Sequence, residues 1–177
     1  MSSEAYNAEF SSLLISLDKG TGADIRTRYL EFDDSHCYDV VSSLLMRLDA
    51  AGWRVTGVRI FTTFSSEFVK ILDVETVAEV FGALLEDSDE AGTIIAYGEL
   101  FGWTAEPFTR NRYGRAYKEG FHGVYETLGD FARQHVCEDQ DEHIPDYVVV
   151  DWEKTYNEIS DGFSDFEYDN RFYVFFG

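Results

Sequence analysis

The chain has 177 residues, with 34 acids against 14 Lys and Arg, a net charge of −20 and a pI near 4.3. That balance argues against direct contact with nucleic acid or an anionic membrane surface, and for basic partners such as a DNA-binding protein, a polyamine or a divalent cation. With 45% hydrophobic and 16% aromatic residues, the chain suits one ordinary domain or two to three very small ones. No run of about 18 apolar residues predicts a membrane-spanning helix. The acidic start, Met1-Ser-Ser-Glu-Ala5, lacks the character of a signal peptide. Cys37 and Cys137 alone predict reduced thiols in a cytoplasm, not a disulfide framework.

In chain order, Ser11 to Leu17 reads as a strand, followed by turn chemistry in Asp18-Lys-Gly-Thr-Gly22. Arg26 to Phe32 alternates polar and apolar residues as a half-buried strand does. Asp33, Asp34 and Ser35 offer caps for a helix from His36 to Ala51, with a stripe of Val40, Val41, Leu44, Leu45 and Leu48, stopped by Gly52. Trp53 to Phe61 reads as a third strand, with Val55, Gly57 and Arg59 on one face. These elements predict a small α+β domain over residues 1–70. Helical spacing in Asp73–Leu85 and Ala91–Trp103, broken at Asp87–Glu90, predicts a helical domain over 71–104. Gly82, Gly92, Gly98 and Gly102 weaken both helices, so they must pack on something.

Pro107 opens a third domain over 105–177, α+β in class. Arg110, Arg112, Arg115 and Lys118 form its cationic cluster. Helices are expected over Asn111–Tyr125, Leu128–Val136 and Val149–Ile159, a charged loop at Glu138–His143, and a new element from Ile144-Pro145. Two strands around an Asp169-Asn170 turn are expected within Phe166–Phe176.

Motifs that would announce an enzyme are missing: no G-x-S-x-G, HExxH, Walker loop or GxGxxG occurs. Asp18 to Gly22 holds the residues of an aspartyl-phosphate site in the wrong order and reads as a hairpin turn. His135-x-Cys137 with His143, and His36-Cys37, fit no standard zinc spacing. The acids at 161, 165, 167 and 169 hint at calcium but lack an EF-hand's central glycine and terminal glutamate. No catalytic residue, cofactor or metal is assigned.

Charge itself is the strongest signal. Residues 138–177 hold twelve acids opposed only by Lys154 and Arg171, interleaved with aromatics such as Trp152, Tyr156, Phe163 and Phe166. Disordered acidic tails lack such aromatics, so the carboxylates are expected on a folded frame. B-DNA carries one negative charge per roughly 1.7 Å, so a net charge of −20 corresponds to roughly 34 Å of duplex. Asp165, Glu167 and Asp169 are expected on one strand face at roughly 6.6 Å intervals.

Two stretches then resemble a known family. Phe121-His-Gly-Val-Tyr-Glu-Thr-Leu-Gly-Asp-Phe-Ala-Arg133 is similar to the Tyr…(Ser/Thr)-x-x-Asp-Phe-Ala-Arg segment of ArdA-type antirestriction proteins. Ile144-Pro-Asp-Tyr147, Val150-Asp-Trp-Glu-Lys154 and Tyr173-Val-Phe175 resemble that family's C-terminal Ile-Pro…Asp-Tyr-Glu-Lys…Val-Phe ending, with Trp152 in place of its Tyr. The resemblance implies a DNA mimic from a mobile element that occupies the DNA groove of Type I restriction–modification enzymes, against their specificity and modification subunits. It implies an elongated, curved chain of three small domains, dimeric through the C-terminal one, in a bacterial cytoplasm. The mimic surface expected in this chain comprises Glu86, Asp87, Asp89, Glu90, Glu119, Glu126 and Asp130. It continues through Glu138, Asp139, Asp141, Glu142, Asp146, Asp151, Glu153, Glu158, Asp161, Asp165, Glu167 and Asp169. Arg171–Phe176 is apolar on both alternating faces, so Tyr173 and Phe175 are expected in a homodimer interface. The alternatives are an acidic module that inhibits another basic protein (a nucleoid protein, polymerase or CRISPR effector) and a small enzyme using an unrecognised carboxylate pair.

Overall fold

The computed structural model describes residues 7–112, 114–139, 144–145 and 148–177, with the side chains of 138 and 139 excepted. It is mixed α+β, and its contacts divide it into one compact unit of residues 7–119 and another built on residues 120–177. The boundaries expected at 70 and 104 therefore fall inside the first unit. The helices of 74–101 cannot bury their apolar faces alone and share a core with the first sheet.

In the first unit, β1 (Phe10–Lys19) and β2 (Arg26–Asp33) form a hairpin, with Leu13 opposite Phe32 and Ile15 opposite Leu30. β3 (Arg54–Thr62) pairs with the other edge of β1, and β4 (Ser66–Val69), not foreseen from the sequence, pairs with β3. Alternation works as a half-buried sheet requires: Leu13, Ile15 and Leu17 are fully buried, while Ser12, Leu14 and Ser16 are partly exposed. In β3 it is interrupted. A register shift places Gly57 opposite Ser16 and Val55 opposite Leu17, so Thr56 is the extra residue. Val55 then shares the core side with Val58 and Ile60, while Arg59 points to solvent, correcting the face expected for Arg59.

Helix α1 (Tyr38–Ala50) buries Val41, Leu45 and Leu48. Its cap position is Cys37 and makes no side-chain bond. Of the three expected caps, Asp33 instead accepts from both the backbone N–H and the hydroxyl of Ser35, at 3.0 and 2.5 Å, in the turn before the helix. Helix α2 (Val74–Glu86) is capped by Asp73, which accepts from the N–H of Thr76 at 2.7 Å. It lays Phe81 edge-on to Phe10 and against Phe32, closing the sheet's inner side. Helix α3 (Ala91–Phe101) follows after one tight turn at Ser88–Glu90. Pro107 sits within the short helix α4 (Ala105–Phe108) of this first unit and opens no domain.

The second unit is a three-stranded sheet backed by two helices. Strand β5 (Phe121–Tyr125) lies where the sequence reading placed a helix over Asn111–Tyr125. Gly114 and Gly120 adopt φ of +111° and +78°, which end any helix there, and the backbone groups of Phe121–Tyr125 pair across the sheet instead. α5 (Leu128–Gln134) starts at Thr127, whose hydroxyl accepts from the N–H of Asp130 at 3.0 Å. α6 (Trp152–Ile159) starts at Asp151 in the same manner, so the helix expected from Val149 begins three residues later. β6 (Phe163–Tyr168) and β7 (Arg171–Phe176) turn on Asp169 and Asn170, both left-handed at φ 54° and 59°, the two-residue turn matching strand twist. Tyr125, Phe131, Ala132, Tyr156 and Val174 form the core between sheet and helices.

Sheet order β5-β7-β6 puts the final strand in the centre. Tyr173 lies between Val124 and Phe166, Phe175 between Phe121 and Ser164, and each is 1% exposed in the chain. They present no surface to a second copy here, which corrects their assignment to a dimer interface. That assignment treated β7 as a strand with one uncovered face.

Gly98 marks a point where packing outranks helix propensity. Trp103 folds back over it, bonds Glu99 at 2.9 Å and stacks on Phe108 at 5.6 Å; the Cβ of an alanine would overlap the indole ring. Gly98→Ala is expected to lower stability by about 1–3 kcal/mol through overpacking, outweighing the gain of about 1 kcal/mol it brings to an isolated helix. Urea denaturation followed by tryptophan fluorescence checks this.

Candidate functional site

The acids expected to form the mimic surface divide by what they touch. At the C-terminal end of α2, Glu86 accepts from Arg115 Nη2 at 3.1 Å and lies 3.1 Å from Arg110 Nη1. Asp87 accepts from the Tyr117 hydroxyl at 2.5 Å and from Lys118 at 2.7 Å, and Lys118 also reaches Glu90 at 3.2 Å. The cationic cluster read from the sequence is thus spent largely on the acids nearest to it. A carboxylate at a helix C-terminus opposes the macrodipole, and these cations offset that cost. Burial works against the charge of Lys118, but its bonds to Asp87 and Glu90 outweigh it and raise its pKa. Asp89 and Glu119 are exposed.

In the second unit, several acids serve the fold. Asp151 caps α6, and Glu153 accepts from the backbone N–H of Gly129 at 3.0 Å, tying α6 to α5. Asp130 accepts from the Thr127 hydroxyl at 2.9 Å, and the exposed Glu126 is also engaged. Asp165 is drawn to the Tyr156 hydroxyl, and Asp169 leaves the strand at the turn. The expected row of Asp165, Glu167 and Asp169 is therefore not a free row of three. Glu158, Asp161 and Glu167 are exposed, Asp169 half-exposed. Asp141, Glu142 and Asp146 lie outside the described residues, as do the side chains of Glu138 and Asp139.

The charge imbalance survives this sorting. Residues 120–177 hold 14 acids and only three bases, Arg133, Lys154 and Arg171, a net −11; residues 7–119 hold 19 acids and 11 bases, a net −8. Three bases cannot neutralise fourteen carboxylates. The unit displays negative charge on a frame of packed aromatic rings, Phe131 with Tyr125, Tyr156 and Phe163 at 4.8–5.9 Å.

Three features escaped the sequence reading because they join residues that no local pattern connects. A cavity of about 530 Å³ lies between Tyr38 of α1, the outer side of α2 and Arg110 and Arg115. An open cleft of about 540 Å³ is bounded by Asp73, Glu75, Glu106 and Trp103. His135 stacks on Phe131 at 5.6 Å with His122 beside it at 5.9 Å, a juxtaposition no spacing rule reveals. Among the described residues no group of three or more His, Cys, Asp or Glu side chains is arranged to hold a metal ion; His143 lies outside them. No helix among the described residues is long and apolar enough to cross a membrane. Compared with protein-family models, curated proteins and solved structures, the chain matches none of them.

Tyr117 gives the first unit a defined response to alkali. It is fully buried, and burial, then its bond to Asp87, push the phenol far above its ordinary value of 10.0. The folded state therefore holds this proton more tightly than the unfolded chain. The stabilisation is complete below pH 10 and is lost progressively above it, as the unfolded phenol ionises. Tyr117→Phe should flatten the fall in urea midpoint between about pH 9.5 and 11, while costing about 0.5–1.5 kcal/mol at neutral pH for the lost hydrogen bond.

Proposed function

We propose that this protein is an antirestriction DNA mimic, which competitively occupies the DNA-binding groove of a Type I restriction–modification enzyme and blocks restriction. The observation that carries the reading is the uncompensated charge of residues 120–177, net −11 on a folded aromatic frame. At one charge per roughly 1.7 Å, that unit alone corresponds to roughly 19 Å of duplex. The resemblance of Phe121–Arg133 and Ile144–Phe175 to ArdA-type proteins points the same way.

The mechanism is electrostatic competition. Lysines and arginines placed by the enzyme to meet phosphates meet carboxylates instead, and the complex forms without base-specific contacts. Glu158, Asp161, Glu167 and Asp169 are the best-placed described acids of the second unit, because they stand out from the frame. Asp165, Asp151 and Glu153 contribute by holding that frame in shape. The proposal carries with it the elongated, curved three-part arrangement and the dimer that the resemblance implies, with a dimer contact outside Tyr173 and Phe175. Blocking of modification follows wherever the same groove serves the methyltransferase.

Such inhibition is distributed and salt-sensitive. An exposed ion pair contributes about 0.2–1 kcal/mol, so Glu158→Gln or Glu167→Gln alone should weaken inhibition of DNA cleavage less than about fivefold. The quadruple variant Glu158→Gln, Asp161→Asn, Glu167→Gln, Asp169→Asn should weaken it far more, and raised salt should mimic that loss. A cleavage assay with a purified Type I enzyme, with circular dichroism confirming the fold, decides the matter. Full inhibition by the quadruple variant, or abolition by one of the single changes, would sink the proposal. Capture of a nucleoid protein or polymerase in place of restriction subunits would redirect it to the acidic-module alternative.

A further inference from the structure

The open cleft at the start of α2 gathers acids that the cations of the first unit leave alone. Asp73 and Glu75 come from the N-terminal end of α2 and Glu106 from α4, and no Lys, Arg or His is among the residues that line it. Asp73 commits one oxygen, Oδ1, to the N–H of Thr76. The carboxylates of Glu75 and Glu106 make no hydrogen bond or ion pair among the described residues. The macrodipole favours an acid near a helix N-terminus, so each has a local reason to be present. That reason does not bring three of them to one cleft. The dipole end supplies only about half a positive charge, so the cleft stays strongly negative.

Thr76 is a second and independent sign of a ligand. It is 2% exposed and lines the cleft, yet its hydroxyl has no partner among the described residues. Among those residues the partnerless side-chain atoms closed off from solvent are Asn7 Oδ1 and Arg115 Nη1, so the Thr76 hydroxyl opens on the cleft. A nearly buried hydroxyl without a partner carries a desolvation cost that a donor entering the cleft offsets. The half-buried indole of Trp103 forms an apolar wall. Its N–H donates to Glu99 at 2.9 Å and its ring stacks on Phe108, so the wall is fixed before anything binds.

Three negative charges without an opposing base call for a cation. Among the described residues no three acids are arranged to hold one metal ion, so the charges suit a ligand whose own cationic groups are separated. At about 540 Å³ the cleft lies within the range of small-molecule sites, roughly 300–1,000 Å³. From this juxtaposition we propose that the cleft bounded by Asp73, Glu75, Thr76, Trp103 and Glu106 binds a linear polyamine. One ammonium group donates to the Thr76 hydroxyl and to Asp73, a second meets Glu106, and the methylenes between them lie along the indole. The site belongs to the first unit and does not rest on the antirestriction reading.

The test is an NMR titration of the full-length protein, reading the Thr76 amide and the Trp103 indole N–H. Salt at about 0.15 M screens charges farther apart than about 8 Å, which suppresses diffuse attraction to the acidic surface. Spermidine should shift both signals saturably along one binding curve, and butylamine, with a single ammonium, should bind about tenfold more weakly. Thr76→Val keeps the shape and the charge and should weaken spermidine about tenfold, with circular dichroism unchanged. Shifts that do not saturate, wild-type affinity in Thr76→Val, or Mg²⁺ moving both signals at the same concentration as spermidine would overturn the proposal. Should Thr76→Val fail to fold, the wild-type comparison of spermidine with butylamine and Mg²⁺ decides alone.

Discussion

The ion pair between the buried Arg115 and the more exposed Glu86 is the tie on which the first unit's last third depends. Twenty-nine residues separate the partners, and the contact draws the segment after α4 onto the end of α2. Tyr117 then reaches Asp87, and Phe108 stacks between Tyr117 and Trp103 at 5.8 and 5.6 Å. Removing Glu86 would leave the buried Arg115 guanidinium without its carboxylate partner, whereas Glu86 itself is partly solvated. The aromatic stack and the charge tie meet at Tyr117, which stacks on Phe108 and bonds Asp87.

This tie also explains how the charge is distributed. Eleven of the fourteen bases lie in residues 7–119, and several are committed to nearby carboxylates: Arg54 to Asp49, Arg110 and Arg115 to Glu86, Lys118 to Asp87 and Glu90. What is left to residues 120–177 is nearly unopposed acid. That unit has devices for holding its shape that need no charge pairing. It uses aromatic burial, two capped helices and a tight turn of left-handed residues. Aromatic packing is indifferent to the charge outside it.

Sequence reasoning located most of the elements because their signals are local. Leu13, Ile15 and Leu17 alternate; Val77, Phe81 and Leu84 recur at helical spacing; Asp169-Asn170 is turn chemistry; each lies in the element expected of it. Failures came where a distant contact overrode a local pattern. Phe121–Tyr125 ends an apparently helical run from Asn111 but finds its partners on β7, and β4 has only four residues of its own to announce it. The Thr56 bulge shifts register by one residue, which moves Arg59 to the opposite face from the one its spacing implied.

The acidic surface shows the same division. Composition determined that the chain is strongly negative, that its charge is concentrated toward residues 138–177, and that aromatics are interleaved with the carboxylates there, since counting needs no coordinates. Only tertiary structure decided which carboxylates are committed. Asp165 and Glu167 look equivalent along a strand, yet a Tyr156 hydroxyl nine residues away engages one and leaves the other exposed. Glu86 and Asp89 look equivalent along the chain, yet two arginines from beyond α4 hold the first. The central position of β7, and the burial of Tyr173 and Phe175 on it, were likewise invisible in a terminal run of aromatics. The physical reason is common to all three. Charge and periodicity are properties of neighbouring residues, whereas pairing and burial are properties of whichever segments the fold brings together.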